Sequence, residues 1–331
     1  MKHSNVAIFV PHNGCPHQCS FCNQRCITGQ SYQPQAQDVI SAINTAIDSL
    51  GKDTEYCEIA FFGGSFTAID RGYMLSLLDA TKPYIDRFKG IRISTRPDYI
   101  NQEILDILKS YKISSIELGV QSMSDDVLLA NKRGHTSRDV YVASQLIKDN
   151  NIELGLQMMT NLYKSTIAND LYTAECFTQI KPKTVRIYPT IVLRGTELFD
   201  LYQGGLHTAY TLEQSVDECA KLIKIFEKNG INVIRVGLHS GGNVDDSYVA
   251  GAYHQAFREL CHSKIMIKEI LDYLKNNQFN RDIDIFVAPK NISATIGQKR
   301  GNIAVLQQNG YNAKVLPSDA LTGRAFIIKS R

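Results

Sequence analysis

Short β-rich apolar runs alternate with longer stretches of helical period along most of this chain, and that alternation narrows its folds more than any other feature. The runs lie at residues 5–10, 58–62, 91–95, 115–120, 152–158 and 184–188, with another at 231–236. Between them come patterns such as Ala36–Leu50, whose Val39, Ile40, Ile43, Ala46, Ile47 and Leu50 recur at helical spacing, and residues 101–109, with Ile104, Leu105, Ile107 and Leu108. Parallel neighbours need a crossover of about a dozen residues or more, usually a helix, so this repeat implies an α/β sheet of parallel strands. An open doubly wound sheet and a complete or partial barrel of the triosephosphate-isomerase (TIM) type both satisfy it. In either, Gly63-Gly64-Ser65, Ser94-Thr95-Arg96 and Gln121-Ser122 would line the rim at the C-terminal strand ends. About six units, with a cysteine-rich loop after the first, favour a partial (β/α)6-type TIM-like barrel with its site at that rim.

The pattern changes after Gly241-Gly242-Asn243. Residues 245–278 read as one long helix or a broken pair. Strand 284–288, helix 291–309 and strands 313–316 and 325–329 follow. The 331 residues allow about two domains. The expected division is a barrel over 1–240 and a small basic α+β appendage over 241–331. With 44% hydrophobic and 21% charged residues, a folded globular chain is expected. No run of about 18 apolar residues is present, and the start lacks the pattern of a signal peptide, so the expectation is a cytoplasmic protein with no membrane association.

The eight cysteines are unevenly spread. Cys57, Cys176, Cys219 and Cys261 lie singly in or beside apolar segments and read as small buried hydrophobes. Cys15, Cys19, Cys22 and Cys26 fall within twelve residues. The first three form CxxxCxxC with Phe21 before the last, and three thiolates this close can converge on one metal centre. A structural zinc loop completed by Cys26, His17 or His12 is one outcome. An iron–sulfur cluster also usually takes four cysteines; three on a four-iron cluster leave one iron open to a non-protein ligand. The next strand ends Phe61-Phe-Gly-Gly-Ser-Phe-Thr67, where two glycines let a ligand come close to the backbone.

In combination these features resemble the radical S-adenosylmethionine (SAM) superfamily. Within it the chain resembles the Elongator catalytic-subunit family, in a short bacterial form lacking the acetyltransferase domain, and more weakly oxygen-independent coproporphyrinogen oxidase. Phe61-Phe-Gly-Gly-Ser-Phe-Thr67, Ser94-Thr-Arg-Pro-Asp98, Glu117-Leu-Gly-Val-Gln-Ser122, Asn131-Lys-Arg-Gly-His-Thr136 and Tyr188-Pro-Thr190 carry the resemblance, over about residues 5–240. It implies that Cys15, Cys19 and Cys22 hold a [4Fe-4S] cluster whose open iron binds SAM. One-electron cleavage of SAM would then yield a 5′-deoxyadenosyl radical that abstracts hydrogen. By position, Gly63, Gly64 and Ser65 match the platform for the methionine amino group. Ser94 stands where relatives often carry a glutamate that bonds the ribose. Gln121 and Arg133 match SAM contacts, the arginine pairing with its carboxylate, and Gln157 is a further candidate. Plainer roles stay open: Glu117 and Gln121 as rim hydrogen bonders, Arg96 as a local partner of Asp98. An electron donor such as flavodoxin or ferredoxin is implied.

Elongator subunits add an acetyltransferase domain of about 150 residues. Only 91 residues follow position 240 here, so acetyl transfer is not carried over. Those residues hold the positive charge: 12 basic against 8 acidic side chains, and 8 against 3 over 281–331. Gly297-Gln298-Lys299-Arg300-Gly301 loosely resembles the backbone-clamping loop of KH domains, with three residues between the glycines rather than two. A polyanion partner is expected, RNA and by family analogy tRNA. Three functions remain open: radical SAM modification of RNA, radical SAM chemistry on a porphyrin or other small metabolite, and zinc-containing nucleic-acid binding without catalysis.

Overall fold

The structure, a computed structural model, describes residues 4–10, 18–23, 32–238 and 244–331. In chain order the first half comprises β1 (Ser4–Val10), α1 (Ala36–Leu50), β2 (Cys57–Gly63), α2 (Arg71–Asp79), β3 (Gly90–Thr95), α3 (Gln102–Lys109), β4 (Ile113–Gln121), α4 (Asp125–Ala130) and α5 (Ser137–Asp149). There follow β5 (Glu153–Thr160), α6 (Ile167–Ile180), β6 (Thr184–Pro189), β7 (Ile191–Leu193), α7 (Glu197–Gln203), α8 (Leu212–Lys228) and β8 (Asn232–Val236). The chain ends with α9 (Val244–Ser247), β9 (Tyr248–Gly251), α10 (Phe257–Lys275), β10 (Asp282–Val287), α11 (Ile292–Ile296), α12 (Gly301–Gln308), β11 (Asn312–Pro317) and β12 (Phe326–Ser330).

Seven strands form one parallel sheet in the order β1-β2-β3-β4-β5-β6-β8. It is a partial TIM-like barrel, a half-barrel in which β1 and β8 are edges. All six expected strands belong to it, and the run at 231–236 supplies the seventh. Its two faces differ in chemistry. Val6, Ile8, Ile59, Phe61, Ile91, Ile93, Ile116, Leu118, Leu154, Leu156, Val185 and Ile187 are buried in the core under the helices. On the opposite parity stand Glu58, Arg92, Glu117, Glu153 and Arg186. Parallel strands buried in apolar layers on both faces read as continuous hydrophobic runs; polar alternation here marks the inner face as a lumen. Threonine caps set several helix starts, with full capping boxes at Thr136, Thr166 and Thr211.

Two expected helices are broken. Within 245–278, Tyr248–Gly251 is instead a strand, paired antiparallel with Ile191–Leu193. Gly251 has φ 103°, and a Cβ there would stand 2.8 Å from the Thr190 carbonyl oxygen. Within 291–309, a turn separates α11 from α12: Gly297 has φ 77°, and Lys299 and Arg300 are both left-handed. Asn302 occupies the space that a Cβ at Gly297 would need, 2.9 Å away.

The small C-terminal sheet has the order β11-β10-β12, with β10 parallel to β11 and antiparallel to β12. Apolar packing does not divide where the sequence pattern changes. Phe257, Cys261 and Ile265 of α10 belong to the barrel core, and Met266, Ile267, Ile270 and Leu274 of the same helix to the small core. Arg324 adds a salt bridge to Glu227 of α8. Cys57, Cys176, Cys219 and Cys261 are buried free thiols, as expected. Among the described residues no helix is long and apolar enough to cross a membrane.

Candidate functional site

Cys22 donates its N–H to the Cys19 carbonyl at 3.1 Å, so one tight turn carries both cysteines. Cys15 lies outside the described residues, as do Cys26, His12 and His17. The turn is anchored on the connection between α4 and α5. Ser20 donates N–H to the Asn131 carbonyl at 3.3 Å and its hydroxyl to Asn131 Oδ1 at 2.8 Å. Asn131 in turn holds the Val127 and Tyr163 carbonyls through Nδ2, and Leu198 N–H donates to the Ser20 carbonyl at 2.7 Å. Positive φ at Lys132 and Gly134 reverses the chain around Arg133.

Arg133 is buried. Its Nη1 donates to Cys19 Sγ at 3.2 Å and its Nη2 to the Gly119 carbonyl. Its buried Nε has no hydrogen-bond partner among the described residues. That hydrogen bond fixes the position of the Cys19 sulfur, an atom of the kind that ligates metals. An unsatisfied buried donor beside it calls for a further acceptor. This donor chemistry fits a thiolate-held, anion-accepting centre.

Gln121 ends β4 at φ 73°, where the β4–β5 register shifts. Its Oε1 accepts from Gln157 Nε2 at 3.2 Å. A Cβ at Gly119 would lie 3.3 Å from Gln121 Nε2 and 3.5 Å from Arg133 Nη2, so this glycine leaves room for both side chains. Arg133, Gln121 and Gln157 therefore meet at one rim, as the sequence implied. His135 follows on the same turn and is buried, with Nε2 3.2 Å from the Val120 carbonyl. Burial and then the neighbouring Arg133 push its pKa down to about 3, so the ring is neutral.

The other candidates divide. Gly63 has φ 124°, and a Cβ there would sit 2.5 Å from the Val10 carbonyl oxygen. The Gly64 N–H donates to that same oxygen at 3.1 Å, so the glycine pair fastens β2 to β1 and the Gly64 amide is already engaged. Ser65 is buried just past the end of β2. Its hydroxyl bonds Thr95 Oγ1 at 2.8 Å and accepts from Arg96 N–H at 3.1 Å. Ser94 is half-buried, with its hydroxyl 3.4 Å from Glu117 Oε2. Arg96 pairs with Asp98 through Nε and Nη2, the local role open to it from the sequence.

The sequence reading missed the charged network lining the lumen. Arg92 donates Nε to Glu58 at 2.8 Å and Nη1 to Glu117 at 3.0 Å, and its Nη2 stands 3.5 Å from Glu153. Glu117 also accepts from Arg186 Nε at 3.0 Å. Burial disfavours the Arg186 charge, but Glu117 and Tyr188 outweigh it and hold the pKa above the ordinary value. Gly155 on β5 makes the contact across that strand possible, because a Cβ there would lie 2.9 Å from Glu117 Cγ. The available signal was parity: Glu58, Arg92, Glu117 and Arg186 all occupy the polar phase of otherwise apolar runs.

Two family models match the chain, the radical SAM superfamily over residues 9–169 and the Radical_SAM C-terminal domain over 182–266. It is 26% identical over 270 residues to Elongator complex protein 3 of Homo sapiens, covering 66% of this chain and 49% of that one. It is 27% identical over 258 residues to the tRNA uridine(34) acetyltransferase of Methanocaldococcus jannaschii, covering 64% and 47%. The chain thus spans about half the length of these curated relatives. The structure of archaeal Methanocaldococcus infernus Elp3 with an N-terminal deletion shares the fold, with a TM-score of 0.65 at 22% identity over 81% of this chain and 63% of that one. The superfamily's cofactors are a [4Fe-4S] cluster and SAM, which replaces the zinc-only reading of the cysteine loop. From the cysteine turn, the half-barrel that carries it and these matches, the chain belongs to the radical SAM superfamily.

Proposed function

We propose that this protein is a cytoplasmic radical SAM enzyme that modifies RNA of the tRNA class. In this reading Cys15, Cys19 and Cys22 hold the cluster, and an electron donor of the flavodoxin or ferredoxin type reduces it. Bound together, cluster and SAM supply one-electron cleavage of SAM to methionine and a 5′-deoxyadenosyl radical that takes hydrogen from the substrate. The carrying observation is Arg133: it bonds Cys19 Sγ, keeps a buried N–H without a partner among the described residues and sits beside Gln121, itself bonded to Gln157. It positions the Cys19 sulfur and offers Nε to a carboxylate. Gln121 and Gln157 offer amide groups to SAM, Ser94 a hydroxyl toward its ribose, and Gly63 and Gly64 shape the end of β2. Neutral His135 adds no second charge beside the arginine.

Two observations support RNA. The relatives include a tRNA uridine(34) acetyltransferase. The small domain places two helices between the parallel strands β10 and β11, and exposes Lys299 and Arg300 on the turn joining them. Neither cation has a carboxylate within 4.0 Å among the described residues. Asn302 braces the turn by donating to Ser263 Oγ at 2.9 Å and to the Ala294 carbonyl at 3.0 Å. Adjacent helices joined by such a turn clamp nucleic-acid backbone in KH domains. Reconstituted protein with reductant, SAM and RNA from cells lacking it should change the mass of a nucleoside in an SAM-dependent way. Release of 5′-deoxyadenosine that is indifferent to RNA, with every nucleoside mass unchanged, would count against this reading.

A further inference from the structure

We infer that Arg235, on the last strand of the half-barrel, is the receptor for an oxyanion of the substrate, a phosphodiester if the RNA reading on which this rests holds. Val233 and Val236 pack into the helical core, and the register shift after Val233, which skips Ile234, puts Arg235 on the lumen side with Arg186. It is the Cα partner of Arg186 on the adjacent strand. Like charges directly opposite on neighbouring strands repel, and an arginine does not shed its proton. Compensation is uneven along the lumen. Glu58, Glu117 and Glu153 all gather on Arg92, and Arg186 takes its share of Glu117. Arg235 has no carboxylate within 4.0 Å among the described residues; its Nε donates to the Gly237 carbonyl at 3.1 Å.

The residue is half-buried and stands next to the Arg186–Tyr188 pair, with Phe62 under the Arg186 guanidinium. A planar guanidinium whose terminal nitrogens have no hydrogen-bond partner among the described residues can bind phosphate or carboxylate oxygens in pairs. Position selects the substrate over SAM. The Cys19–Arg133 contact lies at the end of β4, and β8 is three strands further on, about 14 Å along the sheet at normal strand spacing.

Arginine-labelled protein titrated with inorganic phosphate should show one Nε–Hε NMR signal that moves, and this signal should be missing from Arg235→Gln. In turnover with RNA, Arg235→Gln should raise KM about tenfold with kcat changed far less, the loss expected for one charge-assisted hydrogen bond. Arg235→Lys should fall between. RNA binding by Arg235→Gln should depend on salt with a slope shallower by about 0.7, one phosphate contact on a single strand. No phosphate-sensitive signal, or an unchanged KM, overturns the proposal. So does a fall in SAM affinity with KM for RNA unchanged, which would move the arginine onto SAM. If phosphate moves the signal while the parent protein leaves RNA unaltered, the receptor stands, its anion belongs to a small metabolite, and the RNA reading alone fails.

Discussion

Gly63 shows how much of the rim depends on single residues. Its φ of 124° and the Val10 carbonyl oxygen 2.5 Å from any Cβ leave no room for a side chain. Gly63→Ala should cost about 2–4 kcal/mol in urea unfolding of the apoprotein, from left-handed strain plus a backbone clash. A cost below about 0.5 kcal/mol, the usual surface effect, would mean the strand end yields. His135 makes a pH-dependent contribution. Its folded pKa of about 3 lies below the unfolded value of 6.5, so the unfolded state binds more protons between those limits. Its share of stability is present above pH 6.5 and is lost as pH falls toward 3. His135→Gln should therefore flatten the stability profile over pH 4–6.5, by at most about 1.4 kcal/mol per pH unit. Identical slopes in parent and variant would show that the ring protonates freely. At this scale Arg133 and Gln121 were legible because they sit in compact motifs. Ser65 sat in one too, yet its hydroxyl partner Thr95 is 30 residues away, and only the fold brings the two together.

Among elements, strands and their helices could be read because two periods, about 2 and about 3.6, alternate in the sequence. The stretches that differ from the sequence pattern have different causes. Tyr248–Gly251 is a strand because Ile191–Leu193, over fifty residues earlier, offers an edge. The break after Ile296 is by contrast local: Gly297 at φ 77° and left-handed Lys299 and Arg300 end the helix at the glycine-flanked turn that the sequence already marked. Another contact unseen in sequence joins α6 to α8, where Asp170 and Glu218 lie buried together. Burial and then Asp170 push Glu218 up to about 8. With its folded pKa above the ordinary value of 4.5, this carboxyl's stabilising contribution is complete below pH 4.5 and is lost as pH rises through 8. Glu218→Gln should thus match the parent near pH 4.5 and exceed it at pH 8.5 by on the order of 2 kcal/mol. A variant equally weakened at both pH values would show that the carboxylate is ionised and needed.

For the whole molecule, the length allowed about two units, but composition could not show that one helix would run through both apolar cores. Because α10 runs through both apolar cores, the half-barrel and the basic domain should unfold together, with one urea midpoint by near- and far-ultraviolet circular dichroism. Two separated transitions would mean that the small domain is only tethered. Removing the partly exposed Arg324–Glu227 bridge with Arg324→Ala should cost less than about 1 kcal/mol and keep the transition single.

The account depends most on the chemistry of the cysteine turn. Anaerobic reconstitution with iron and sulfide, followed by SAM and dithionite, should yield 5′-deoxyadenosine from the parent protein and none from Cys22→Ala. A colourless parent that retains zinc without sulfide, or a Cys22→Ala variant releasing 5′-deoxyadenosine at the parent's rate, would contradict it.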